Sequence, residues 1–170
     1  MGPPGAGAPY GYITGPVDSL GRPLAEWWQR AVAIIIDSVM LGIVFAILRS
    51  IFGAGNTVVF NSDGSTTVHT GHLVIAEIIS IVLTLTYFAI FDGSERGQTL
   101  GKMALGIATR DVSTGGRIGT GRALLRRFVY SILWVLFFIP GLINVLSPLW
   151  DPRRQAWHDK AASSDVIKTR

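Results

Sequence analysis

Residues Ala31–Leu48 read AVAIIIDSVMLGIVFAIL, an apolar run interrupted only by Asp37 and Ser38. A second run, Leu73–Phe91 (LVIAEIISIVLTLTYFAIF), carries one ionisable residue, Glu77. A hydrocarbon core about 30 Å thick takes roughly 20 helical residues to cross, so both runs predict transmembrane helices. A third block, Phe128–Trp150, has no charge but contains Pro140-Gly141 and Pro148. Proline removes a helical hydrogen bond and clashes with the preceding turn. The block therefore reads either as one kinked span or as a bent, re-entrant pair of short helices, and the bend is favoured.

The composition of the whole chain agrees. Of 170 residues, 49% are hydrophobic and 15% charged, with a mean hydropathy of +0.43. Soluble domains carry about 25% charged residues, so this chain lacks the charges that keep a surface wet. The length allows one domain. The absence of cysteine excludes disulfides, thiol catalysis, cysteine–zinc sites and iron–sulfur clusters. The three histidines, His69, His72 and His158, are too scattered to suggest a metal site. The expected fold is an all-α integral membrane protein with two full transmembrane helices, a Pro/Gly-bent third apolar segment and small β-hairpins in the loops.

Orientation follows from the basic residues of the connections. The arm through Arg30 holds two, and the loop Ser50–His72 none. The segment Asp92–Arg127 holds seven (Arg96, Lys102, Arg110, Arg117, Arg122, Arg126 and Arg127), and the tail from Asp151 holds five. This places the N-terminus and the second loop in the cytoplasm and the first loop outside. A bent third block returns the basic tail to the cytoplasm, whereas a full span strands it outside. No signal peptide is expected, because the first apolar run starts 30 residues in and lacks a cleavage pattern.

Residues 1–22 form a Gly/Pro-rich arm expected to be disordered. The domain proper is expected over 23–168, with spans near 31–48 and 73–91 and the bent segment at 128–150. Pro23 suits the first turn of a helix, and Trp27-Trp28 belong at the headgroup level. Hence an interfacial helix should open there and run or elbow into the first span. Thr57–Phe60 and Ser65–Val68 flank the turn Asn61–Gly64 as a β-hairpin. Leu105–Asp111 and Arg117-Ile118 around Ser113–Gly116 suggest a second one. An isolated hairpin is only marginally stable in water. The tail Trp157–Lys168 is therefore expected to pack on Gly97–Ile118, with Val166-Ile167 as a third strand.

The polar residues inside the apolar runs are the candidates for function. An aspartate at mid-span costs about 2.5–3.5 kcal/mol on the insertion scale, so Asp37 needs a partner or water. Arg30 lies two turns earlier on the same helix face, about 10 Å along the axis. The expectation is an ionised Asp37 paired with Arg30 or with Lys102, Arg126 or Arg127. The functional alternative is an ion or proton site, with Asp37 and Glu77 as steps of a cation path. Gly97-Gln98-Thr99-Leu100-Gly101-Lys102 fails as a phosphate loop, having three residues between the glycines instead of four and Met103 in place of Ser or Thr. The basic second loop is expected to meet anionic lipid headgroups, through Arg122, Arg126 and Arg127 beside Trp27 and Trp28, and not nucleic acid. No nucleophile, base and acid assemble, so no enzymatic activity, catalytic residue, metal or cofactor is expected.

Three stretches carry a family resemblance. Trp27-Trp28-Gln29-Arg30 through Asp37 resembles the opening of the RDD family of membrane proteins, named for one arginine and two aspartates. Gly97–Ile107 (GQTLGKMALGI) resembles its second block and Arg153–Ala162 (RRQAWHDKAA) its closing block. The resemblance implies that Arg30 and Asp37 are the family's arginine and first aspartate. The second aspartate falls at Asp159, with Asp92 as the other candidate. Asp159 then joins Arg30, Asp37 and Lys102 in one polar cluster under the spans. Ser163–Ile167 departs from the family's Thr-then-apolar pattern, and Asp165 argues against a fully buried last strand. Members are multi-pass bacterial inner-membrane proteins, some suggested to exchange cations for protons. The reading is an accessory or scaffold protein working through anionic lipids and through membrane-protein partners or self-association. The alternative is a small oligomeric cation/proton transporter using Asp37 and possibly Glu77.

Overall fold

The structure, a computed structural model, describes residues 15–52, 57–69 and 71–170. It is mostly helical. Helix α1 (Trp27–Phe52) and helix α2 (Gly71–Gly93) are long and apolar enough to cross a membrane. Their exteriors are greasy: Ile35, Val39, Ile43, Ile47 and Ile51 form a winding exposed stripe on α1. Meanwhile Asp37, Asp92 and Asn144 are buried. That inverts a soluble protein, where a large exposed apolar face is a liability. Between the two helices, β1 (Thr57–Phe60) pairs antiparallel with β2 (Thr66–His69).

The second loop and the tail build a small compact layer together. Short helix α3 (Leu100–Leu105) leads into β3 (Ile107–Asp111), and α6 (Trp157–Ala161) leads into β4 (Ser164–Lys168). Strands β3 and β4 pair antiparallel, with Thr109 opposite Val166. Ile107 and Val166 pack with Ala25 and Ala33 at the root of α1. On the other face, Leu24, Ala108 and Ile167 form a second cluster. Helix α3 lies so close to α1 that a β-carbon on Gly101 would sit 2.1 Å from the Ala33 carbonyl oxygen. Only glycine admits that approach.

The third apolar block is two helices, α4 (Thr120–Leu136) and α5 (Phe138–Leu146), followed by a 3-10 turn, Ser147–Leu149. The chain turns at Phe137 (φ −145°, ψ 91°), not at Pro140-Gly141. A proline ring collides with the carbonyl four residues earlier, so the helix has to end before Phe137. Pro140 is then accommodated in the first turn of α5. Helix α5 folds back on α4, with Gly141 against Leu133 and Trp134.

Several expectations are corrected here. No helix opens at Pro23. Residues 23–25 run extended beside β4, with Lys168 N–H donating to Pro23 O (2.8 Å) and Ala25 N–H to Val166 O (2.8 Å). Helix α1 starts only at Trp27, where Gln29 Oε1 reaches back to accept from Glu26 N–H at 3.0 Å. Within the arm, residues 17–22 are an ordered loop instead of a disordered one. Val17 bridges Pro23, and the Asp18 carboxylate accepts from Leu20 N–H, Arg22 N–H and the Arg22 side chain. Residues 1–14 of that arm lie outside the described residues. The second hairpin does not form, because β3 takes its partner from the tail. Asp165 does not prevent burial of β4, since Arg153 Nη2 donates to it at 2.9 Å.

Gly101→Ala should therefore lower thermal stability in detergent by roughly 1–3 kcal/mol, the cost of overpacking. Gly42→Ala, with open space around the added methyl, should leave it unchanged. Thermal unfolding of the two purified variants checks both outcomes.

Candidate functional site

The buried charges gather where α1, α2, α4, α3 and α6 meet. Arg126, one and a half turns into α4, is the hub. Its Nε donates to Asp159 Oδ1 at 2.7 Å and its Nη1 to Asp92 Oδ2 at 2.6 Å. Arg30 Nη1 donates to the other Asp159 oxygen at 2.7 Å. Lys102 Nζ donates to Asp92 Oδ1 at 2.5 Å and to Thr109 Oγ1 at 2.7 Å. Asp159 also accepts from Ala156 N–H at 3.0 Å, which caps α6. Each carboxylate oxygen of Asp92 and Asp159 thus meets a cation. Charge-assisted bonds of this kind are the strong ones.

Asp37 stands apart from the cations. The expected pairing with Arg30, Lys102, Arg126 or Arg127 is corrected: among the described residues no basic group lies within 4 Å of it. Its carboxylate accepts instead from Thr99 Oγ1 (2.6 Å), Tyr87 OH (2.8 Å) and Gly101 N–H (2.8 Å). Tyr87 OH in turn accepts from Leu100 N–H, and Thr99 Oγ1 accepts from Lys102 N–H. The three N–H groups of α3's first turn, which no helical carbonyl can reach, are all satisfied this way. An anion at a helix N-terminus also meets the favourable end of the helix dipole. Asp37 is a cap for α3 delivered from the first span.

The remaining sequence candidates separate. Glu77 pairs with Arg49 on α1, both half-exposed, away from Asp37. Trp28 is exposed, and Trp27 Nε1 donates to Val145 O at 2.9 Å. Two expected headgroup contacts are corrected. Arg126 is buried in the network, and Arg122 is spent on Asp111, Ala162 O and Ser163 O. Arg127 lies over the rings of Phe88 (4.0 Å) and Tyr130 (4.9 Å). From sequence Asn144 is an ordinary interhelical hydrogen-bonder, and what sequence reasoning missed is its partner: fully buried in α5, its Oδ1 lies 2.9 Å from His158 Nδ1 and accepts from His158 N–H at 3.1 Å. Its signal was the one amide in an otherwise apolar block.

Burial and charge set the protonation of the tail. Burial opposes ionisation of Asp159, but Arg126, His158 and Arg30 outweigh it and hold the carboxyl far below the usual range. Burial also pushes His158 down to about 3, with the Arg126, Arg30 and Lys102 cations adding to the effect against Asp159. It lowers Lys102 to about 8 despite Asp92. At neutral pH His158 is therefore a neutral hydrogen-bonding ring, and the network is a set of closed ion pairs. Among the described residues no three acidic or histidine side chains form a metal-ligand group.

Arg126→Lys cannot reach both carboxylates with a point charge. It should destabilise by about 3 kcal/mol or more, as breaking a buried pair does. Arg117→Lys, at an exposed pair with Glu95, should change little; thermal melts of the two in detergent check this. A second expectation concerns pH. Below 6.5 unfolded His158 takes up a proton, and the folded ring does not until about 3. The unfolded state then binds more protons, so stability falls as pH drops through that window. His158→Gln should flatten that slope above the carboxylate range, measured by melts across pH.

No curated protein and no solved structure matches the chain. The RDD family profile matches residues 24–163, from the strand-like segment before α1 to the turn before β4. The match spans both membrane-length helices and the whole ion-pair network. The chain is a membrane protein that belongs to the RDD family.

Proposed function

We propose that the protein is a multi-pass bacterial inner-membrane protein without enzymatic activity, acting as an accessory or scaffold through contacts with anionic lipids and with other membrane proteins or copies of itself. The observation that carries this reading is the closure of the site. Asp37, Asp92 and Asp159 each spend their oxygens on protein donors. Such a network holds four helices and the tail in register and leaves no acceptor for a travelling cation. A rigid base with greasy flanks suits a docking protein.

The N-terminus, the second loop and the tail lie in the cytoplasm and the β1–β2 hairpin outside, in line with seven basic residues against none. The α4–α5 pair is a re-entrant hairpin whose apolar tip enters the bilayer, where Val135, Phe138 and Ile139 are at least two-thirds exposed. Both its ends then stay on the cytoplasmic face, which keeps Asp159 beside Arg126.

One observation favours the transport alternative. A groove of about 780 Å³ between α1, α2 and α4 is lined by Ser80, Thr84 and Ser131 and reaches Arg49 and Glu77. Against it, Ser80 and Thr84 donate to their own helix carbonyls. No hydrogen bond or ion pair among the described residues joins Glu77 to Asp37. The wild-type protein in vesicles should give no cation-driven proton flux above empty vesicles, and Asp37→Asn should reduce membrane abundance. Flux that disappears in Asp37→Asn at normal abundance would replace the scaffold with the transporter.

A further inference from the structure

Charge does not balance around the network. Counting the residues that line the central cavity together with Asp159, Arg30, Lys102, Arg126 and Arg127 supply four positive charges and Asp37, Asp92 and Asp159 three negative ones. The surplus is Arg127, which among the described residues has no carboxylate within 4 Å and rests on the faces of Phe88 and Tyr130. A cation so placed is costly to bury without a counter-ion.

The donors point the same way. Arg30 uses only Nη1, on Asp159. Its Nε and Nη2, which carry the parallel N–H pair along one edge of the guanidinium, are buried without a protein acceptor. Arg127 Nε is in the same condition. Both arginines line a cavity of about 70 Å³ between α1, α2, α4 and the Val145–Pro148 turn, room for several water-sized groups. Its apolar walls include Trp27, Ile34, Phe88 and Pro148. An arginine edge of this kind matches two oxygens of a phosphate. The walls match the glycerol and first methylenes behind one.

We propose that this cavity binds one phosphate group, held by the free edge of Arg30 and by Arg127, and carried by an anionic amphiphile at the cytoplasmic face. The inference rests on the lipid-contact reading above and sharpens it from a diffuse surface attraction to a single stoichiometric site. The phosphate neutralises the surplus charge and supplies the acceptors the two arginines lack.

The test is a titration of the purified protein in uncharged detergent, read by thermal shift and by native mass spectrometry, with three probes: short-chain phosphatidylglycerol, inorganic phosphate and uncharged diacylglycerol. Phosphatidylglycerol should bind with one-to-one saturation and raise the melting temperature, while diacylglycerol should do neither. Arg127→Gln, which breaks no ion pair, should weaken binding about tenfold or more, the worth of a charge-assisted hydrogen bond. Arg30→Lys keeps a charge for Asp159 but loses the edge, and should weaken it similarly. Inorganic phosphate binding as tightly as the lipid would keep the phosphate site and assign its source to solution. No saturable binding of either phosphate, or binding indifferent to both variants, overturns the proposal. These outcomes are independent of vesicle flux, which judges the scaffold reading.

Discussion

One guanidinium ties the molecule together. Arg126 reaches from α4 to Asp92 at the end of α2 and to Asp159 in the tail, and so joins segments 33 and 34 residues away from it in the chain. The pairs on either side depend on it. Asp159 is free to orient Arg30 because its other oxygen is held, and Lys102 can settle on Asp92 because Arg126 shares that carboxylate. Buried ion pairs gain little net stability over apolar packing, yet breaking one is expensive. Their value here is positional: the spans, whose apolar faces would slide freely in lipid, acquire one register.

Asp37 serves the same end by different means. A carboxylate within an apolar helix invites the search for a counter-ion, and none of the cations nearby takes it. The first turn of α3 does. A six-residue helix cannot sustain itself in isolation, and its unmet N–H groups would be costly beside the membrane. Asp37, Tyr87 and Thr99 meet all three. The Gly101 contact with Ala33 then lets the short helix lie flush on the span. Asp159 and Asp37 therefore do unlike work: one closes a salt-bridge network, the other caps a helix.

How much of this was legible in the sequence follows from the range of each interaction. The two long spans are local, written in runs of apolar residues, and the structure extends both by a few residues at each end. The partner of β3 is not local: Ile107–Asp111 meets Ser164–Lys168 across more than fifty residues. The β-capable Val166-Ile167 and the weakness of an isolated hairpin point to the tail, but both runs are too short for periodicity to fix the register or to exclude Arg117-Ile118 as a strand. Asp165 reads as a surface residue until Arg153 is seen beside it. Arg126 and Arg127 are neighbours in sequence and both reach the central cavity, but Arg126 enters the ion pairs while Arg127 rests on the rings of Phe88 and Tyr130. Leu124 and Leu125 are exposed while Ala123 and Arg126 are buried. A soluble helix teaches the opposite phase, and only the inverted solvent explains it.

The same inversion bears on what the protein does. A proton carrier works best when its group titrates near the ambient pH. In the tail, Asp159 lies far below that range and His158 falls to about 3. Lys102, at about 8, comes nearest, but its ammonium is closed between Asp92 and Thr109. Each acid of the network is bound by donors from at least two elements, so moving a proton through it would require the helices to part. Among the described residues, the basic groups around the network that keep buried donors without a protein acceptor are Arg30 and Arg127. Arginine edges without protein acceptors suit the oxygens of an anion better than a travelling proton or cation, and that is the physical ground on which the lipid-phosphate proposal stands.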